Sequence, residues 1–116
     1  MKIGCFSDTH TMHDGIRIDQ WCDVLIFAGD LMNSGYSEED ITRFLGWFSV
    51  QPSKHKIFIA GNHDRLFEND RVHITQRIRQ EYPSLTYLEN SEVVIDGIKF
   101  YGSPITPYFL DWAFNV

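Results

Sequence analysis

Three short apolar runs in this chain each end in polar side chains, and this pattern constrains the fold more than any other feature. The runs cover residues 2–6, 24–28 and 56–60. Each run is short and almost continuously apolar, as is typical of strands that a parallel sheet buries on both faces. The pattern therefore predicts a mostly parallel sheet in which these runs are strands.

Two amphipathic segments predict helices that alternate with the strands. The first begins after Ser37, a favourable N-cap followed by three acidic residues, and ends before Pro52. The second covers residues 70–81. Its apolar positions are Val72, Ile74 and Ile78. Alternation of strands and helices predicts an α/β layered fold.

The last third of the chain predicts a β-hairpin. Two β-rich runs, Val93–Ile95 and Ile98–Tyr101, flank Asp96-Gly97, which suits a type I′ turn. Residues 103–107 are expected to form a loop. The aromatic-rich segment 109–116 has no polar tail, whereas chain ends are usually polar, so we expect a chain that was interrupted.

Composition and charge exclude several classes of protein. The formal net charge is −6, which disfavours non-specific binding to a nucleic-acid backbone because such binding needs clustered cations. No apolar run is long enough to span a membrane, so we expect no membrane partner and a cytoplasmic location. Cys5 lies in an apolar run, which favours a buried thiol over a disulfide.

Potential metal ligands follow all three predicted strands. These residues are Asp8, His10, Asp30, Asn62, His63 and Asp64. The carboxyl ends of parallel strands meet at one edge of a sheet, where ligands bind in α/β folds. Carboxylate, imidazole and amide groups suit Mn, Fe, Zn or Mg. Each motif alone is more typical of a turn or a helix cap than of a metal site; their coincidence at three strand ends favours a metal site.

The motifs Asp8-x-His10, Gly29-Asp30 and Gly61-Asn62-His63-Asp64 together resemble the signature of calcineurin-like metallophosphoesterases. The segment from Tyr101-Gly102-Ser103-Pro104 to Trp112-Ala113-Phe114 is similar to the MPPED-type subgroup. The resemblance implies that residues 1–116 form the N-terminal half of an α/β/β/α four-layer sandwich, with a mixed, mostly parallel sheet and a hairpin. The family's later GH and GHxH segments do not occur before Val116, so we expect a truncated domain.

The resemblance also implies a two-metal centre. Asp8 and His10 would bind the first divalent ion, Asp30 would bridge both ions, and Asn62 would bind the second. The ions implied are Mn, Fe, Zn, Ni or Mg, with Mn foremost.

The same resemblance assigns the catalytic residues. His63 would stabilise charge on the phosphate or act as general acid, and Asp64 would orient His63. A hydroxide that bridges the two metals would attack phosphorus in a phosphate mono- or diester. The expected substrate is a small phosphoester, with cyclic nucleotides among the candidates.

An alternative interpretation is a truncated or split fragment whose metal site is incomplete. Such a fragment would be inactive alone and would need a complementary C-terminal half or association with further copies of itself. His13, three residues beyond His10, is the other histidine that could approach the site.

Overall fold

The structure is a computed structural model that describes residues 1–32, 37–105 and 113–114. Its larger sheet has four parallel strands in the order β1-β2-β3-β4. The strands are β1 (Ile3–Phe6), β2 (Cys22–Phe27), β3 (Ser53–Phe58) and β4 (Leu85–Tyr87). A separate antiparallel pair consists of β5 (Ser91–Ile95) and β6 (Ile98–Gly102). The predicted α/β class with a parallel sheet and a hairpin is confirmed.

Three α-helices accompany the strands in the described part of the chain. They are α1 (Glu38–Ser49), α2 (Arg65–Asn69) and α3 (Arg71–Glu81), with a short 3-10 turn at His13–Gly15. None of the described helices is long and apolar enough to cross a membrane. The Ser37 hydroxyl accepts a hydrogen bond from the Asp40 amide at 3.4 Å, so the predicted N-cap of α1 is confirmed.

One face of the main sheet is covered by α1 through an aromatic core. Phe44 and Phe48 of α1 are fully buried against Phe27 and Phe58 of the sheet. The rings of Phe27 and Phe44 lie 4.5 Å apart between centroids. Burial of these large rings contributes most of the stabilisation at this layer, because aromatic side chains remove the most apolar area from water.

The opposite face of the sheet carries the hairpin. Val24 and Ile57 pack against Ile95 in a second buried cluster. The turn residues Asp96 and Gly97 have φ values of 51° and 79°, as a type I′ turn requires. The predicted hairpin is therefore confirmed, and its packing adds a layer to the sheet.

Gly102 allows the hairpin to approach the sheet closely. A Cβ atom at this position would lie 2.6 Å from Leu88 Cβ and 2.8 Å from Ile59 Cγ2. Atoms at such distances repel each other, so only glycine fits without a shift of the hairpin or the sheet.

One expectation about burial is wrong, and one apolar helix position is exposed. Cys5 is a free thiol, as expected, but it is exposed. Cys5 lies on β1, an edge strand of the sheet, where it pairs in register with Ile26 of β2. The hairpin packs over β2 and β3 and so leaves Cys5 uncovered. Val72 is 80% exposed because it lies about 200° around α3 from the buried Ile74.

Part of the sequence interpretation concerns residues outside the described ranges. These are Thr106-Pro107 of the expected loop and residues 109–112 and 115–116 of the aromatic-rich segment. Ala113 and Phe114 are described, and both are buried.

The Gly102 contact predicts the effect of one substitution. We expect Gly102→Ala to lower the free energy of unfolding by about 1–3 kcal/mol, because Leu88 and Ile59 must move. Urea unfolding measures the change. The matched control is Gly46→Ala in α1, where nothing lies within 4 Å of the added Cβ. It should raise stability by about 0.5–1 kcal/mol. Equal midpoints for the two variants would contradict the prediction.

Candidate metal centre

The loops after β1 and β2 are joined by backbone hydrogen bonds. The Asp8 amide donates to Gly29 O at 2.9 Å, and the His10 amide donates to Asp30 O at 3.0 Å. These bonds extend the parallel pairing of the strands beyond the sheet. They place the side chains that follow the two strands at one edge, as the sequence predicts.

Three of the predicted ligands lie together at this edge. Asp8, His10 and Asp30 each offer one ligand atom, and these atoms all lie within 4.8 Å of one another. His10 Nε2 is 3.7 Å from Asp8 Oδ1. Two carboxylates and an imidazole form a donor set for a divalent ion of the Mn, Fe or Zn type. The residues present therefore fit the metal that the sequence implies.

The orientation of His10 is set by Met32, a residue to which the sequence interpretation gave no role. His10 Nδ1 lies 3.1 Å from the Met32 carbonyl oxygen. A carbonyl oxygen only accepts hydrogen bonds, so Nδ1 is the donor in this contact, and in the neutral imidazole Nε2 then keeps its lone pair. Nε2 is therefore free to bind a metal ion. Nothing in the sequence identified this contact, because it joins two residues far apart in the chain.

The electrostatics of the two carboxylates also favour a bound cation. Ser7 donates a hydrogen bond of 2.5 Å to Asp8 Oδ2, and this bond lowers the pKa of Asp8. Burial raises the pKa of Asp30, and the neighbouring charge of Asp8 acts in the same direction. The His63 amide opposes this by donating to Asp30 Oδ1 at 2.9 Å. A divalent ion would offset the repulsion between the two carboxylates.

The ligand residues also have an uncommon backbone conformation. Asp8, His10 and Asp30 have φ values of 58°, 43° and 63°. Non-glycine residues rarely adopt positive φ, and such conformations persist only where surrounding contacts hold them. Here the hydrogen bonds between the loops hold them, so the fold preorganises the predicted ligands.

The loop after β3 brings His63 to the same place. The His63 and His10 rings meet edge to face, with 4.8 Å between centroids. Asn62 precedes it in this loop, and its backbone carbonyl accepts a hydrogen bond from the Ala113 amide at 3.0 Å. The role of Asn62 as a ligand and that of His63 in catalysis remain predictions.

Asp64 lies beneath the ligand loops and is fully buried. Its Oδ2 accepts hydrogen bonds from the amides of Asp30 and Gly61, both at 2.8 Å, and of Leu31 at 3.3 Å. Its Oδ1 accepts from the Met32 amide at 2.8 Å. Burial raises the pKa of Asp64 to about 6, although the amides of Gly61, Met32 and Leu31 act to lower it. The orientation of His63 by Asp64 remains a prediction.

His13 is placed elsewhere. It is 1% exposed and packs against α1, with its ring 5.7 Å from Phe44 and 5.3 Å from Trp47 between centroids. The expectation that it could approach the site is therefore wrong, because the 3-10 turn directs it into the core.

The close approach of Gly61 to Asp30 generates a prediction. A Cβ atom on residue 61 would lie 2.5 Å from the Asp30 nitrogen and would clash with its carboxylate. We expect Gly61→Ala to destabilise the fold by about 1–3 kcal/mol and to weaken Mn²⁺ binding about tenfold or more. Isothermal titration calorimetry and urea unfolding measure the two effects.

The control for this prediction is Gly15→Ala. Nothing lies within 4 Å of an added Cβ there, so it should bind Mn²⁺ as the unmodified chain does. If Gly61→Ala bound the ion with unchanged affinity, the inferred link between this glycine and the placement of Asp30 would be wrong.

Comparison with known proteins agrees with this geometry. The family model described as calcineurin-like phosphoesterase matches residues 1–112. Metallophosphoesterase domain-containing protein 1 of Homo sapiens and that of Mus musculus are each 35% identical in an alignment 136 residues long that covers 99% of this chain. A probable rhamnogalacturonate lyase C of Emericella nidulans is 35% identical over 122 residues, which cover 99% of this chain and 11% of that protein.

This chain spans 40% of the length of the human and mouse relatives. The match to the family model extends over nearly all of its residues and includes all three ligand motifs. The chain therefore belongs to the calcineurin-like phosphoesterase family.

Proposed function

We propose that this chain contributes the metal-binding and catalytic loops of an enzyme that hydrolyses small phosphate mono- or diesters. The observation that carries the proposal is the grouping of Asp8, His10 and Asp30 within 4.8 Å, with the His63 ring against His10. Membership of the phosphoesterase family supports the same class of reaction.

The ligand loops would hold two divalent ions, for which we propose Mn²⁺. Asp8 and His10 would bind one ion, Asn62 the other, and Asp30 would bridge them. When bound, such ions lower the pKa of a coordinated water and neutralise charge on a phosphate. The chain's own contribution is to keep the carboxylates and the His10 imidazole in place before an ion arrives.

His63 is proposed to act on the substrate rather than on the metal. Its backbone amide is anchored to Asp30 Oδ1 at 2.9 Å, which fixes the residue beside the ligand group. An imidazole in this position can stabilise charge on the phosphate or protonate the departing alkoxide. We propose that Asp64 keeps the loop carrying His63 in position.

The substrate is proposed to be a small phosphodiester, with cyclic nucleotides as one class to test. The human relative's name identifies a metallophosphoesterase domain and no particular substrate. The activity of the whole protein is therefore part of the proposal.

A second candidate is a fragment with an incomplete centre. Among the described residues, the group offers three histidine or aspartate ligands, whereas a divalent ion commonly takes four to six. A complementary half with further histidines, supplied by another polypeptide, would complete the coordination of both ions.

We expect this chain, supplied with Mn²⁺, to hydrolyse bis(p-nitrophenyl) phosphate. His63→Ala should lower kcat by about 100- to 10,000-fold while Mn²⁺ affinity stays unchanged, because His63 is not a proposed ligand. Asn62→Ala and Asp30→Ala should lower both affinity and kcat. His73→Ala, which removes an exposed histidine paired with Glu38, is the matched control for turnover and should leave kcat unchanged.

A second substrate separates the two proposed roles of His63. A phenyl diester has a less acidic leaving group than the p-nitrophenyl diester, so a general acid matters more for it. A larger defect of His63→Ala on the phenyl diester would indicate a general acid, and equal defects would indicate charge stabilisation. Mn²⁺ binding without any turnover would favour the incomplete fragment, and no Mn²⁺ binding at all would contradict the proposal.

A further inference from the structure

Asp64 contacts the loop that carries the metal ligands, although it is not a ligand itself. We propose that Asp64 is a positioning residue that fixes the tautomer of His10 and the backbone of Asp30 through residues 30–32. The inference rests on the proposed function, in that these two residues are taken as metal ligands. It assigns to Asp64 an effect on the ligands in addition to any effect on His63.

The first link runs from Asp64 through Met32 to His10. Asp64 Oδ1 accepts the Met32 amide proton at 2.8 Å, and the Met32 carbonyl lies 3.1 Å from His10 Nδ1. Met32 is therefore held from one side by a carboxylate and contacts the imidazole on the other. A displacement of Met32 would remove the acceptor that keeps the proton on Nδ1.

The second link runs from Asp64 to Asp30. Asp64 Oδ2 accepts the Asp30 amide proton at 2.8 Å, and Asp30 has a φ of 63°. The Asp30 carbonyl in turn accepts the His10 amide at 3.0 Å. The same carboxylate thus supports the uncommon backbone conformation of one ligand and, through it, the backbone of another.

The contacts of Asp64 require a carboxylate. Its carboxylate accepts hydrogen bonds from four backbone amides, those of residues 30, 31, 32 and 61. A carboxylate has acceptor sites on both oxygens, whereas an asparagine side chain would turn an NH₂ group toward one set of these donors. The unpaired buried amides would then destabilise the loop.

The loop itself is firmly anchored, so a change at Asp64 is transmitted rather than absorbed. The side chains of Leu31 and Met32 are fully buried in the core. A ligand supported by packed neighbours holds its geometry more closely than one on a free loop. Residues 30–32 therefore act as a rigid connection between Asp64 and the ligands.

Nitrogen-15 NMR of histidine-labelled, metal-free protein tests the proposal at alkaline pH, where imidazoles are neutral. His10→Gln assigns the His10 signals. We expect the Nδ1–H tautomer for His10 in the unmodified chain and a shift toward Nε2–H in Asp64→Asn. Asp19→Asn, which changes an exposed aspartate paired with Arg17, is the matched control and should keep the tautomer. Mn²⁺ affinity should fall about 10- to 100-fold in Asp64→Asn only.

A measurement on the unmodified chain covers the case in which Asp64→Asn does not fold. Scalar couplings across hydrogen bonds should connect the Met32 and Asp30 amide nitrogens with Asp64 Cγ. Absence of these couplings, an Nε2–H tautomer in the unmodified chain, or an unchanged tautomer in folded Asp64→Asn would overturn the proposal. All these readouts are independent of turnover, so a chain that binds Mn²⁺ without phosphoesterase activity would favour the incomplete fragment and leave this inference standing.

Discussion

The parallel register of β1, β2 and β3 is the constraint on which the rest of the structure depends. Because the three strands run in the same direction, the loops that follow them leave the sheet at the same edge. The pairing continues past the strands through Asp8 and His10, whose amides donate to carbonyls of the next loop. A sheet with one of these strands reversed would carry the same residues to opposite edges and form no site.

The second requirement is that two positions in these loops are glycine, because a side chain at either would clash. A Cβ atom on Gly29 would lie 2.9 Å from the backbone of Gly61, and one on Gly61 would clash with Asp30. The loops after β2 and β3 can therefore touch, and Asp64 joins them through backbone amides of both. Close backbone approach and a buried carboxylate together explain how the side chains of Asp8 and Asp30 are held so near one another. They also explain why the site consists mostly of loop residues on a rigid support.

Much of the architecture was predictable because its signals are local. The cap at Ser37 and the Asp96-Gly97 turn depend on neighbouring residues, and the structure confirms both. The short elements were not predicted: α2 has five residues and β4 has three, too few to show a period. The prediction that Cys5 is buried was wrong, because its burial depends on where the hairpin lies over the sheet. The residues next to Cys5 in the sequence do not indicate that position.

By itself, the sequence determined the alternation of the longer strands and helices, the hairpin turn, and the identity of the residues at the strand ends. Periodicity, capping and turn chemistry act over a few residues, so they can be recognised without coordinates. Only the tertiary structure decided which nitrogen of His10 carries the proton, how Asp64 is bonded, and that His13 turns into the core. Apart from the bond between Gly61 and Asp64, these features arise from contacts between residues about 20 to 35 positions apart along the chain, and packing alone selects such contacts.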